Sequence, residues 1–110
     1  INDSDLKNSI EVSELSNFVF ENREGIETKL LETGSNISGG QRQRIGIART
    51  IYKKPEVLIF DEAFNSLDKE TCKKILKKIM EQCSSKTIFL ISHDLSLKDY
   101  CSQIIDLDDL

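Results

Sequence analysis

Ser38-Gly39-Gly40-Gln41 opens a helical pattern, and further on Val57-Leu58-Ile59-Phe60 runs apolar into Asp61-Glu62. The residue types suggest chemistry on a phosphate. A serine and two glycines at a helix start offer a hydroxyl, plus backbone N–H groups that an anion can approach with no Cβ in the way. An apolar strand ending in two carboxylates offers a metal ligand and a water-activating group. Asp61 suits a magnesium ion, held through water. Glu62 suits a general base or an orienter of the attacking water. In extended backbone successive side chains point opposite ways, so the two carboxylates can hold different jobs. His93, the single histidine, ends a second apolar run, where it could contact a terminal phosphate and sense its loss. Each feature has a plainer reading: a turn before a helix, a charged turn after a core strand, a surface histidine. Their order and spacing weigh against three coincidences. No glycine is followed by lysine, so the G-x-x-x-x-G-K-[ST] loop that cradles a nucleotide's phosphates is absent.

The elements that must position these residues divide near Pro55. Before it, Leu6, Ile10, Val12, Leu15, Phe18 and Val19 recur at near-helical spacing. That spacing predicts one helix capped by Asp3, Ser4 or Asp5 and ended by Asn22 to Gly25. Gly34-Ser35-Asn36 signals a turn. Ser38 caps a second helix from Gly39 to Tyr52, with Ile45, Ala48, Ile51 and Tyr52 inward, stopped by Lys53, Lys54 and Pro55. After Pro55 the pattern is strand, helix, strand, helix, strand. The strands are Val57–Phe60, Thr87–Ile91 and Ile104–Leu107, the middle one buried. The helices are Lys69–Gln82, with Cys72, Ile75, Leu76 and Ile79 inward and lysines 73, 74, 77 and 78 outward, and Leu95–Cys101. Alternation of this kind implies parallel pairing through right-handed crossovers. Active groups then gather at the carboxyl ends of the strands, where Asp61-Glu62 and Ser92-His93 sit.

Composition excludes several classes. At 110 residues the chain suits one small domain or a piece of a larger one. The net charge of −4 argues against a broad nucleic-acid surface, although Arg42, Arg44 and Arg49 form a local basic spot. Cys72, Cys83 and Cys101 are odd in number and lack C-x-x-C spacing, so they read as reduced thiols. No apolar run approaches the roughly 20 residues of a spanning helix, and no signal peptide opens the chain.

Taken in order, the motifs resemble those of the ABC ATPases. Ile37-Ser38-Gly39-Gly40-Gln41 is similar to the L-S-G-G-Q signature, and Val57 to Glu62 to the Walker B motif. Asn65-Ser66-Leu67-Asp68 is similar to the D-loop, and Ile91-Ser92-His93-Asp94 to the switch-histidine segment. Thr28 to Gly34 resembles the T-x-V-G-E-x-G loop of exporters. The chain departs from the pattern at Ile37, Phe64, Asn65 and Ser66.

The resemblance implies an α/β fold: a partial P-loop NTPase core of parallel sheet and flanking helices, plus part of a helical subdomain. Residues 1–54 would end the subdomain and carry the signature helix, and residues 55–110 would form the C-terminal half of the ATPase core. It further implies ATP and Mg2+ as cofactors. Ser38, Gly39, Gly40 and Gln41 would act in trans on a nucleotide held by a second nucleotide-binding domain in a head-to-tail dimer. Asp61, Glu62 and His93 would act in cis, and Glu32 would touch the transmembrane partner. The chain would then work on the cytoplasmic side of a membrane, attached through transmembrane segments it does not contain, and would contact no nucleic acid. The family's Walker A loop, adenine-stacking loop and Q-loop match nothing here and would precede residue 1, so the fragment alone is expected to be inactive. Two other readings are a soluble ABC-type ATPase of chromosome maintenance or repair, and a non-catalytic interaction module.

Overall fold

Apolar residues at positions 72, 75, 76 and 79 place one stripe on a helix, and the helix forms around it. A computed structural model describes residues 2–21 and 38–109. The elements are α1 (Asp3–Val12), α2 (Ser16–Glu21), α3 (Gly39–Tyr52), β1 (Val57–Asp61), α4 (Lys69–Gln82) and β2 (Thr87–Ile91). Two 3₁₀ turns follow, Leu95–Tyr100 and Leu107–Asp109. Cys72, Ile75, Leu76 and Ile79 all face inward on α4, the last three wholly buried. Each of those three contributes about 1.5–3 kcal/mol through burial. They meet Leu58 and Phe60 of β1, Val12 of α1, Ile47 and Ile51 of α3, and Phe64 and Leu97. The Phe60 and Phe64 rings pack tilted, centroids 5.5 Å apart. Lysines 73, 74 and 77 point to solvent as the pattern implies, but Lys78 is half-buried against α1.

Asp68 starts α4. Its Oδ2 accepts from the Thr71 N–H at 3.1 Å, the expected role of an N-cap. Hydrogen bonding with Thr71 holds the Asp68 carboxyl below the usual carboxylate range. A depressed folded-state pKa means stability present above the unfolded value, about 3.9, and lost as pH falls through the folded one. Asp68→Asn keeps a capping oxygen and removes the titration. Thermal midpoints measured from pH 7 down to pH 3 are expected to fall less steeply for Asp68→Asn than for the parent. Parallel curves would exclude the cap as a source of acid sensitivity.

β1 and β2 pair in parallel, in register from Val57 opposite Thr87 to Asp61 opposite Ile91. They form a two-stranded sheet among the described residues. Leu58 and Phe60 point into the core with the half-buried Ile88 and Leu90. Val57, Ile59, Phe89 and Ile91 lie on the other face, 49–61% exposed. The Thr87–Ile91 strand is therefore covered on one side only, not buried as its composition implies. The segment expected as a third strand, Ile104–Leu107, is irregular and exposed, and runs into a 3₁₀ turn at Leu107. A strand exists through its ladder, and no described segment pairs with this one. The Leu95–Cys101 helix is a 3₁₀ helix ending at Tyr100, capped by Asp94, whose Oδ1 accepts from Ser96.

The N-terminal helix expected from the spacing is two helices. Asn2, one residue before the expected caps, caps α1 by accepting from Asp5 N–H. α1 then ends at Val12 because Glu14 takes a left-handed backbone, φ 58°. Leu15 N–H donates to Ile10 carbonyl and Glu14 N–H to Glu11 carbonyl, the Schellman pair that usually needs glycine. For glutamate that backbone costs about 1–2 kcal/mol. Two cations offset it. Arg44 Nη1 donates to the Glu14 carbonyl at 2.7 Å, and Lys78 Nζ pairs with the Glu14 carboxylate at 2.8 Å and the Glu11 carbonyl at 3.0 Å. Both lie at the negative end of α1, which has no basic residue in its own last turn.

α3 packs along α1. Ile47 and Ile51 are its buried residues; of the expected inward set, Ile45, Ala48 and Tyr52 are only half-buried. Those three face an apolar groove of about 200 Å³ completed by Leu6, Ile10 and Val19. The groove lies away from the carboxylates and holds no catalytic group. Cys72, Cys83 and Cys101 are free thiols. Burial pushes those of Cys72 and Cys83 up, away from the reactive thiolate.

Candidate functional site

Ser38 shapes the start of α3. Its hydroxyl accepts from Gln41 N–H at 3.0 Å, while the Gln41 side chain accepts from Ser38 N–H at 3.1 Å. This reciprocal capping box leaves the first-turn N–H groups of Gly39 and Gly40 without intrahelical acceptors and places the positive helix end beside them. The two glycines also do something their sequence does not announce. A Cβ on Gly39 would lie 3.3 Å from Ser66 Oγ, and one on Gly40 would lie 3.1 Å from the Ser66 carbonyl oxygen. They let the helix start sit directly on the Asn65–Asp68 loop. The two segments line one polar depression of about 480 Å³ with Arg44 and Thr71.

Gly46 tests this reading, because a Cβ there would meet nothing within 4 Å. Gly46→Ala is expected to stabilise by about 0.5–1 kcal/mol through reduced chain entropy. Gly40→Ala is expected to destabilise by about 1–3 kcal/mol through crowding against backbone. Urea midpoints decide it; a stabilising Gly40→Ala would show that the loop yields freely.

Asp61 ends β1 with its side chain exposed. Glu62 does not continue the strand. Its backbone is left-handed, φ 53°, a conformation that costs a non-glycine residue about 1–3 kcal/mol and collects at functional sites. The chain thus turns at Glu62 where strand alternation would have continued. Glu62 N–H donates to the Ile91 carbonyl at 2.8 Å, so the turn is bonded to the end of β2. That bond brings His93 to the carboxylate: His93 Nε2 lies 3.3 Å from Glu62 Oε1, with the imidazole almost wholly exposed and the glutamate partly covered. Leu67 is half-buried under the loop, and Asp68 is the α4 cap. The structure therefore gathers Ser38, Gly39, Gly40, Ser66, Leu67 and Asp68 around one depression, and Glu62 and His93 at the adjoining sheet edge. Glu32 and Ile37 lie outside the described residues.

Residue type alone assigns Gln43 no role. Its side chain donates to the Glu62 carbonyl at 3.0 Å and to Asn65 Oδ1, and accepts from Ser66 N–H at 2.9 Å. Helical spacing carried a signal, since residue 43 lies three and four positions after the glycines and so shares their face.

A helix N-terminus with a serine–glycine–glycine start is thus seated on the loop that follows a strand-end carboxylate pair, with a histidine across from the second carboxylate. The sequence profile of the ABC transporter family matches residues 6–65, more than half of the chain, and the protein belongs to that family. It is 40% identical over 106 residues to the alpha-hemolysin translocation ATP-binding protein HlyB of Escherichia coli O157:H7, covering 94% of this chain and 15% of that protein. It is 43% identical over 91 residues to the leukotoxin export ATP-binding protein LtxB of Aggregatibacter actinomycetemcomitans, covering 83% of this chain and 13% of that protein. The fold superposes on a bacterial Atm1-family ABC exporter with ATP bound, with TM-score 0.78 and 34% identity, over 86% of this chain and 17% of that one. The chain thus spans about one seventh of the length of these relatives.

Proposed function

We propose that this chain is the signature-to-histidine part of the ATPase domain of an ABC exporter, in which ATP binding and hydrolysis drive transport. The observation that carries the reading is the seating of the Ser38-Gly39-Gly40 helix start on the Asn65–Asp68 loop beside Glu62 and His93. One face serves two nucleotides. Ser38, Gly39, Gly40 and Gln41 present the helix end to the phosphates of an ATP held by a second nucleotide-binding domain, packed head to tail. Glu62 orients the attacking water at this chain's own nucleotide and takes its proton. His93, 3.3 Å from that carboxylate, contacts the terminal phosphate. Asn65 to Leu67 shape the contact between the two domains.

The residues fit a magnesium ion in one way. Among the described residues no cluster of three or more acidic, histidine or cysteine side chains is available to hold a metal. A single carboxylate, Asp61, suits an ion that keeps its waters and takes other ligands from phosphate; bound so, the ion would neutralise charge on the phosphates. No described helix is long and apolar enough to cross a membrane. On the exporter reading, the chain works at the cytoplasmic side of a membrane through a transmembrane partner, with Glu32 at that contact. Residues 1–54 then belong to the helical subdomain and residues 55–110 to the ATPase core.

The test is magnesium-dependent ATP hydrolysis by the purified full-length protein in lipid. A full-length protein that binds no ATP, or binds it without turnover, would remove the reading.

A further inference from the structure

Gln43 touches both halves of this arrangement. Its Nε2 donates to the Glu62 carbonyl oxygen at 3.0 Å and to the Asn65 side chain, and its Oε1 accepts from Ser66 N–H at 2.9 Å. The amide orientation is dictated by its partners: the Glu62 carbonyl only accepts and the Ser66 N–H only donates, so a flipped amide would lose both bonds. Glu62 itself has the left-handed backbone, φ 53°, with its N–H tied to the Ile91 carbonyl. A residue in that region holds its direction only when the surroundings over-determine it. β2 fixes the peptide before Glu62, and Gln43 fixes the peptide after it.

Resting on the function proposed above, we infer that Gln43 is a positioning residue for hydrolysis. It sets the direction of the Glu62 carboxylate, and it joins that carboxylate to the helix start that serves the other nucleotide. Gln43 touches no substrate; it acts through the backbone of Glu62 and through Asn65 and Ser66. Asparagine is one methylene too short to span these partners, and glutamate keeps the acceptor for Ser66 while losing both donors.

The experiment uses the full-length protein in lipid with MgATP as the substrate, comparing Gln43→Ala, Gln43→Glu, Asn65→Ala, the Gln43→Ala/Asn65→Ala pair and Glu62→Gln. Gln43→Ala is expected to lower kcat by about 10–100-fold, the scale of a misdirected catalytic group, with KM changed less than about threefold and the thermal midpoint retained. Gln43→Glu should behave alike, because it also lacks the donors, and it carries the test if the alanine variant does not fold. The paired variant should lose less than the product of the single losses, since both act on one link. Wild-type kcat in both Gln43 variants while Glu62→Gln is inactive would overturn the inference and leave the ATPase reading standing. Losses of kcat, ATP affinity and thermal midpoint in step would also overturn it, by showing a purely structural role. Near-normal turnover by Glu62→Gln would instead remove the reading on which the inference rests.

Discussion

Glu62→Gln in the full-length protein is expected to reduce MgATP turnover by about 10²–10⁴-fold, the usual contribution of a positioned general base, while ATP still binds. The substitution changes one oxygen to an amide and leaves the shape in place. The backbone at residue 62 is held by groups the substitution does not touch: its N–H by the Ile91 carbonyl and its carbonyl by Gln43. The helix start at Ser38 and the Asp61 carboxylate are likewise unchanged, so the contacts proposed there for phosphate and magnesium would persist. The bound state should therefore accumulate, with both domains closed on ATP. Single-turnover hydrolysis and equilibrium binding of labelled ATP measure the two parts separately. A variant with near-normal kcat would assign the water-activating role elsewhere; one that fails to bind ATP would make Glu62 a binding residue.

The chain expressed by itself is expected to hydrolyse no ATP and to self-associate. Phosphoryl transfer depends on positioning and charge stabilisation, and no segment of this sequence matches a phosphate-cradling loop. The stability argument comes from the sheet. Val57, Ile59, Phe89 and Ile91 leave an apolar face open, with Ile59 61% exposed. Covering the exposed half of each such side chain would contribute about 1 kcal/mol, against a net stability of about 5–15 kcal/mol for a small domain. A two-stranded sheet also presents open edges to other chains. Dye binding to exposed apolar surface, a broad thermal transition and concentration-dependent association are the expected results, each reversed within the longer protein. A soluble monomer with one sharp, cooperative transition would show that the inner face of the sheet suffices, and would favour an independent interaction module.

Much of this was legible in the residues. The apolar stripe at 72, 75, 76 and 79 specified α4 and its buried face, with Asp68 as its cap. Ser38 specified the start of α3, because a serine before two glycines has few better uses than an N-cap. The two apolar runs specified β1 and β2, and the helix between them made the pair parallel. These features are local: a period, a cap, a run of β-branched and apolar residues.

What stayed hidden was decided by partners distant in sequence. Nothing near Glu14 marks a helix end, since glycine is absent there; Arg44 from α3 and Lys78 from α4 hold that left-handed turn. Ile104 to Leu107 have the composition of a strand, yet hydrogen-bond ladders need a neighbour and none of the described segments supplies one. Glu62 reads as the next residue of a strand, yet its backbone turns and is held by bonds to Ile91 and Gln43. Types and spacing in the sequence determined that a serine–glycine–glycine helix start, two carboxylates and a histidine follow one family's pattern. The tertiary structure decided how they meet, because the link between them is a side-chain amide whose three partners lie 19 to 23 residues away along the chain.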